Sequence, residues 1–206
     1  MSDLGAIQEQ LSVAWLRHRF AAGRLDLGRP PWREEDAPHE PVPAAVLVPV
    51  VQRESELTVL FTKRTDHLHD HPGQVAFPGG RSEQQDETPV ITALREAEEE
   101  IGLPRERVDV LGTLPEYLTS TGFRVTPVVG LVTPPLDLKL DAFEVADVFE
   151  APLAFLLDPR NHQRRSLEFG GVLRQFWSMP FQGYHIWGAT AGMVISLHSF
   201  LFGVER

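Results

Sequence analysis

The segment Thr88–Leu103, TPVITALREAEEEIGL, constrains this chain more than any other. It carries both a start and a stop signal for a helix. Thr88 can cap the N-terminus, Pro89 suits the first helical position, and Gly102 stands where a left-handed residue ends a helix. Pro104 follows two residues later. Val90, Leu94, Ala97 and Ile101 form an apolar stripe at 3–4-residue spacing. The acids break the pattern. Glu96, Glu98, Glu99 and Glu100 crowd the last turn and a half, where the helix already carries partial negative charge. Each carboxylate there is unfavourable by ~0.3–1 kcal/mol, and the like charges of Glu96 and Glu100 at i, i+4 add a few tenths. A local rule broken at such cost points to a functional site.

The spacing shows what offsets the cost. Glu96, Glu99 and Glu100 fall at i, i+3 and i+4 and so share one helical face. Three carboxylates on one face are hard oxygen ligands suited to Mg²⁺ or Mn²⁺, and such an ion cancels both repulsion and dipole penalty. Glu98 points elsewhere and is assigned to solvent. Upstream, Gly79 and Gly80 end the short strand Gln74–Phe77 and permit the close backbone approach that a phosphate-wrapping loop requires.

The rest of the chain predicts an α+β domain with a mixed β-sheet. Leu4–Ala22 reads as a helix, with Leu4, Ile7, Leu11, Ala14 and either Trp15 or Phe20 near one face. Pro30, Pro31, Pro38, Pro41 and Pro43 then exclude helix and central strand, which leaves an extended connector. The division is residues 1–43 for helix and connector and 44–206 for the main domain. Ala44–Gln52 and Glu56–Lys63 form a hairpin, Val108–Leu114 and Phe123–Val132 are further strands, and Leu167–Trp177 is a hairpin around Gly170 and Gly171. Ala151–Leu157 is a short helix, and Ala189–Phe202 a longer one with Met193, Val194, Leu197 and Leu201 on one side.

Composition narrows the partners. Nineteen basic against 29 acidic residues give a formal charge of −10, which argues against a nucleic-acid partner. A small phosphate-bearing substrate remains compatible, because a bound cation inverts the local field. With Cys 0, disulfides, thiolate metal sites and a cysteine nucleophile are excluded. No apolar run approaches the ~18–20 residues that span a bilayer, and the N-terminus lacks the pattern of a signal peptide. No membrane partner and a cytoplasmic location are therefore expected. The first helix either folds back on its own domain or packs on a second subunit in a homodimer.

Gly80–Leu103 resembles the Nudix box, the strand–loop–helix signature of hydrolases acting on nucleoside diphosphates linked to another moiety. Arg95, Glu96, Ala97, Glu98, Glu99, Glu100, Ile101, Gly102 and Leu103 match its second half throughout. The front half is one residue longer than the pattern. Its expected Glu falls on Asp86 counted from Gly80, or on Glu87 counted back from Arg95. The preceding element is similar to that of the coenzyme A pyrophosphatase branch, through Leu60, Thr62, Arg64, His71, Gly73, Phe77, Pro78, Gly79 and Gly80. A basic position commonly Arg in that branch is His69 here. Gly122–Gly130 and Ile186–Ala191 also look like this branch.

The resemblance implies a Nudix-type α/β/α sandwich and hydrolysis of coenzyme A to 3′,5′-ADP and 4′-phosphopantetheine. Another nucleoside diphosphate derivative, or a silent nucleotide-binding domain, is the alternative. It implies Glu96, Glu99 and Glu100 as ligands of Mg²⁺ or Mn²⁺, Arg95 as the residue orienting one of them, and Glu144 as an additional acid serving as ligand or base. Arg64, His71, Gly73, Phe77, Gly79 and Gly80 are implied on the substrate side. Tyr117, Phe123 and Trp187 are assigned to core packing, and Arg160, Arg164 and Arg165 to a solvated loop.

Overall fold

A computed structural model describes residues 11–23, 32–34, 37–38, 40–68, 71–169 and 172–203. Leu4, Ile7, His69, Gly170 and Gly171 lie outside the described residues.

The architecture starts from two strands that are apolar along nearly their whole length. β2 (Val42–Gln52) and β8 (Phe123–Val132) pair in parallel from Val42↔Phe123 to Val51↔Val132. Continuous apolar runs of this kind belong to strands buried on both faces. Ala45, Leu47 and Val51 face one side of the sheet, and Ala44, Val48 and Val50 the other. Both strands contain proline, which ordinarily interrupts a ladder. Pro49 falls between the stretch of β2 paired to β5 (Gly79–Arg81) and the stretch paired to β3 (Leu57–Arg64), so its missing N–H interrupts no pair there. Pro127 likewise falls between the pairing of β8 with β7 (Tyr117–Leu118) and with β6 (Val108–Thr113). The predicted hairpin is present, with Val50↔Val59 and Gln52↔Leu57 in register.

The nine-stranded mixed sheet runs β1-β7-β8-β2-β3-β4, where β1 is Trp32–Arg33 and β4 is Val75–Ala76. β5 adds to β2, β6 to β8, and β9 (Val145–Pro152) to β3. On one face lies α2 (Pro89–Ile101), packed through Ala93, Ala97 and Ile101 on Leu47, Val51 and Val128. On the other lie α1 (Val13–Gly23), α3 (Leu153–Leu157) and α4 (Gly188–Phe202), with Phe61, Val129 and Leu131 beneath them. This is the expected α+β class, helices on both faces of a mixed sheet.

Several elements differ from the sequence reading. The described part of the first helix folds back on its own domain. It buries Leu16, where Ala14 was expected, and, of the two aromatic alternatives, Phe20 rather than Trp15; Phe20 meets Phe200 of α4 with ring centroids 4.7 Å apart. The connector is not unpaired: Trp32–Arg33 makes a short parallel strand at the sheet edge, where a proline-rich segment is tolerated. α4 is buried nearly all round, because α1, α3 and the small sheet wrap it. That second sheet is antiparallel, β10 (Gln163–Phe169), β11 (Val172–Phe181) and β12 (Tyr184–Trp187). Arg164 and Arg165 lie on its first strand rather than in a loop; the Arg164 guanidinium sits 4.6 Å over the Trp177 ring.

Candidate active site

The caps of α2 set its position. Thr88, extended at φ −144°, accepts a hydrogen bond from the Ile91 N–H at 3.3 Å. Gly102 closes the helix at φ 66°, a left-handed conformation that side chains other than glycine adopt only with strain. The segment after β8 then returns along the helix end. Lys139 N–H donates to the Ile101 carbonyl and Asp141 N–H to the Glu100 carbonyl, both at 2.9 Å. Two carbonyls that α2 leaves open are satisfied in this way, and the chain is steered so that Glu144 follows at the site.

The four acids at the end of α2 have distinct surroundings. Glu100 is on the inner edge of the helix, 6% exposed. The Gly79 N–H donates to its Oε2 at 3.2 Å. Burial pushes its carboxyl up to about 8; the charges of Glu96 and Glu144 add to the rise, while Gly79 and Arg64 oppose it. Glu96 is half-buried, and its carboxyl is also raised, first by burial and against the pull of Arg95. Glu99 is exposed and turned to Arg95, and Glu98 is exposed but paired with Arg105 at 2.8 Å. Glu96, Glu100 and Glu144 thus lie within one another's field, with Arg64 beside them, while Glu99 stands toward solvent.

Arg95 organises this end of the helix. Its Nη2 donates to Asp86 Oδ2 at 2.9 Å and to the Arg81 carbonyl at 3.1 Å, and its Nη1 contacts Glu96 at 3.0 Å and Glu99 at 2.9 Å. Asp86 is the counter-ion. Its side chain is 1% exposed and also accepts from the Glu83 N–H and the Thr92 hydroxyl. These bonds hold its carboxyl low, at about 2, the Arg95 hydrogen bond being the largest cause.

Gly79 and Gly80, expected in a loop, instead form strand β5 and meet the acids directly. Gly80 pairs with Ala45 in the sheet, and a Cβ at position 80 would stand 2.6 Å from the Glu96 carboxyl carbon. Only glycine lets the strand and the carboxylate approach this closely. Arg64 ends β3, its charge reaches Glu100, and its Nε is buried without a hydrogen-bond partner. His71 is exposed at φ 56°, and its carbonyl accepts from the Gln74 N–H in the turn that includes Gly73. Phe77 does not face the cleft. It is 3% exposed and stacks on Phe61 at 4.9 Å, so it anchors the loop in the core.

The residues matched by the NUDIX domain family are 41–161. The chain belongs to the Nudix family. Two similar proteins carry the name uncharacterized Nudix hydrolase NudL. That of Enterobacter sp. (strain 638) is 44% identical over 154 residues, 75% of this chain and 80% of that protein. That of Escherichia coli (strain K12) is 40% identical over 174 residues, 84% of this chain and 89% of that protein. Among solved structures, a C. elegans Ap4A hydrolase binary complex is 19% identical, covers 53% of this chain and 80% of its own, and has a TM-score of 0.47.

The chain is therefore a Nudix hydrolase, an enzyme acting on a nucleoside diphosphate derivative, and Gly80–Leu103, the segment resembling the Nudix box, lies within the matched residues. Of the two residues the lengthened loop left open, Asp86 is the buried partner of Arg95, and Glu87 is exposed. The extra residue lies after Asp86, before the Thr88 cap. Asp86 was legible only as one of two alternatives, because loop spacing does not say which acid the arginine reaches. Among the described residues no helix is long and apolar enough to cross a membrane.

Nudix hydrolases generally use divalent ions such as Mg²⁺ or Mn²⁺. Among the described residues no three acidic or histidine side chains converge closely enough, as they stand, to enclose an ion. The donor chemistry nevertheless fits one. Glu100 is a buried carboxylate that accepts from the Gly79 N–H, beside Glu96 and Glu144 and within reach of the Arg64 charge. A hard cation is the group that such a set of oxygens lacks.

Proposed function

We propose that this chain hydrolyses the pyrophosphate linkage of coenzyme A to 3′,5′-ADP and 4′-phosphopantetheine. The observation that carries the reading is Arg64. It belongs to the Leu60–Gly80 element that resembles the coenzyme A pyrophosphatase branch, and its buried, unpartnered Nε lies beside the acidic end of α2. A cation that leaves a donor unused next to buried carboxylates is prepared for an additional anion, here a substrate phosphate.

Glu96 and Glu100, with Glu99 from the solvent side, would hold Mg²⁺ or Mn²⁺. An ion held there would supply neutralisation of diphosphate charge and a lowered pKa for the attacking water. Arg95, fixed by Asp86, holds Glu96 and Glu99 in orientation through charge-assisted hydrogen bonds. Glu144 adds a carboxylate opposite the helix and takes the proton of the attacking water. Arg64 and His71 meet the substrate phosphates. The backbone at Gly73, Gly79 and Gly80 leaves room for their approach, and Phe77 keeps that loop seated.

Incubation of the purified protein with coenzyme A and either Mg²⁺ or Mn²⁺, followed by mass analysis, tests this. The expected products are 3′,5′-ADP and 4′-phosphopantetheine. Their absence with both ions, together with turnover of a nucleotide sugar or dinucleotide, would reassign the substrate within the family.

A further inference from the structure

Among the described residues five large apolar side chains are well exposed: Val42, Leu140, Phe143, Leu167 and Leu173. Only Phe143 is aromatic, and it is the most exposed, at 64%. It immediately precedes Glu144, the acid whose charge reaches Glu96 and Glu100. Its backbone is fixed on both sides. The Phe143 N–H donates to Asp141 Oδ1 at 2.9 Å, and its carbonyl accepts from the Thr65 hydroxyl at 2.7 Å. The Thr65 N–H in turn donates to the Glu144 carbonyl at 3.0 Å. Thr65 is itself buried and follows Arg64 directly. These bonds join the segment bearing Arg64 to the segment bearing Glu144.

On the far side of this join His67 turns its ring toward Phe143. The centroids are 4.9 Å apart and the planes inclined at 62°, an edge-to-face pair with both residues exposed. The ring stands one residue before Glu144, and the Phe143 carbonyl is hydrogen-bonded to the residue that follows Arg64.

We propose that Phe143, braced by His67, is the stacking platform for the nucleobase of the substrate. The inference rests on reading the Glu96–Glu100 mouth as a diphosphate hydrolase site and adds which side chain grips the base. Every base has a π-face, so a stacking contact gives affinity with little dependence on hydrogen-bonding pattern. Phe143 is a binding residue and takes no part in the bond cleavage, so its loss acts on KM rather than on kcat.

The test compares wild type, Phe143→Ala and Phe143→Tyr on an adenine-bearing diphosphate substrate and on a diphosphate diester without a base. Phe143→Ala is expected to raise KM for the adenine-bearing substrate about tenfold, to leave kcat within about twofold, and to leave the base-free substrate unchanged. Phe143→Tyr is expected to restore KM. An unchanged KM for the adenine substrate, or an equal rise on both substrates, would overturn the proposal. Calorimetric titration with AMP reads the platform without turnover. A weaker AMP affinity in Phe143→Ala supports it even if the wild type cleaves neither diphosphate, whereas equal affinities or no AMP binding by wild type would refute it.

Discussion

Glu100→Gln should make the protein more stable and less active at once. Glu100 is buried, and its carboxyl stands at about 8 against an ordinary 4.5. In the unfolded chain it ionises near its ordinary value, while in the folded chain it holds its proton until the pH nears 8. Between those values the unfolded state has fewer protons bound, so folding stability falls as pH rises, and above pH 8 the penalty is complete. At 1.36 kcal/mol per pH unit the displacement corresponds to a ceiling of roughly 5 kcal/mol. Relaxation and water entry reduce this, and we expect about 2–3 kcal/mol at pH 9. Gln keeps the oxygen that accepts from the Gly79 N–H and removes the charge.

Urea unfolding of wild type and Glu100→Gln in chelator, at pH 5 and pH 9, measures the difference. The variants should be nearly equal at pH 5. At pH 9 Glu100→Gln should be the more stable, with a midpoint higher by about 5–10 °C in a matching thermal melt. With divalent ion present its turnover should fall by roughly two orders of magnitude. A Glu100→Gln protein that is less stable at pH 9 than wild type would refute the reasoning that this carboxylate is buried at a cost.

Asp86→Ala should destabilise the fold by about 3–5 kcal/mol, because it leaves the nearly buried Arg95 without its main counter-ion; equilibrium urea unfolding at pH 7 reads this. With its carboxyl held at about 2, Asp86 contributes stability fully above its unfolded value of 3.8 and loses it as pH falls through about 2. The stability gap between wild type and Asp86→Ala should therefore close on acid titration. Gly80→Ala should fold with a loss under about 1 kcal/mol, because its new methyl meets the far end of the Glu96 side chain and no backbone. It should nevertheless lower kcat by about tenfold or more as that carboxylate is displaced, and steady-state kinetics beside a melt separates the two effects.

Local chemistry made some elements legible from sequence and left others hidden. α2 was readable because Thr88, Pro89 and Gly102 act within one turn of themselves, and the β2–β3 hairpin because its strands flank a short polar turn. β9 was missed. It mixes exposed and half-buried positions, ends in Pro152, and is a strand because β3 offers it an edge from Thr58 to Arg64. The parallel pairing of β2 with β8 joins residues about 80 positions apart, which no local pattern encodes.

The candidate site divides in the same way. Glu96, Glu99 and Glu100 were visible as acids at the unfavourable end of a helix. That Glu100 is inside and Glu99 outside depends on the 133–144 segment closing over the helix end. The exposed ring of Phe143 had no sequence signal, since one aromatic before an acid is ordinary until the fold leaves it in solvent.

Buried Glu100 and half-buried Glu96 are proposed to hold, with Glu99, a divalent ion beside Gly79 and Gly80. Anomalous diffraction from a crystal of the protein soaked in Mn²⁺ tests it most directly. The account predicts a peak within about 2.3 Å of carboxylate oxygens of Glu96 and Glu100, absent in a Glu100→Gln crystal. A wild-type crystal with Mn²⁺ bound elsewhere and none at these two carboxylates would contradict it.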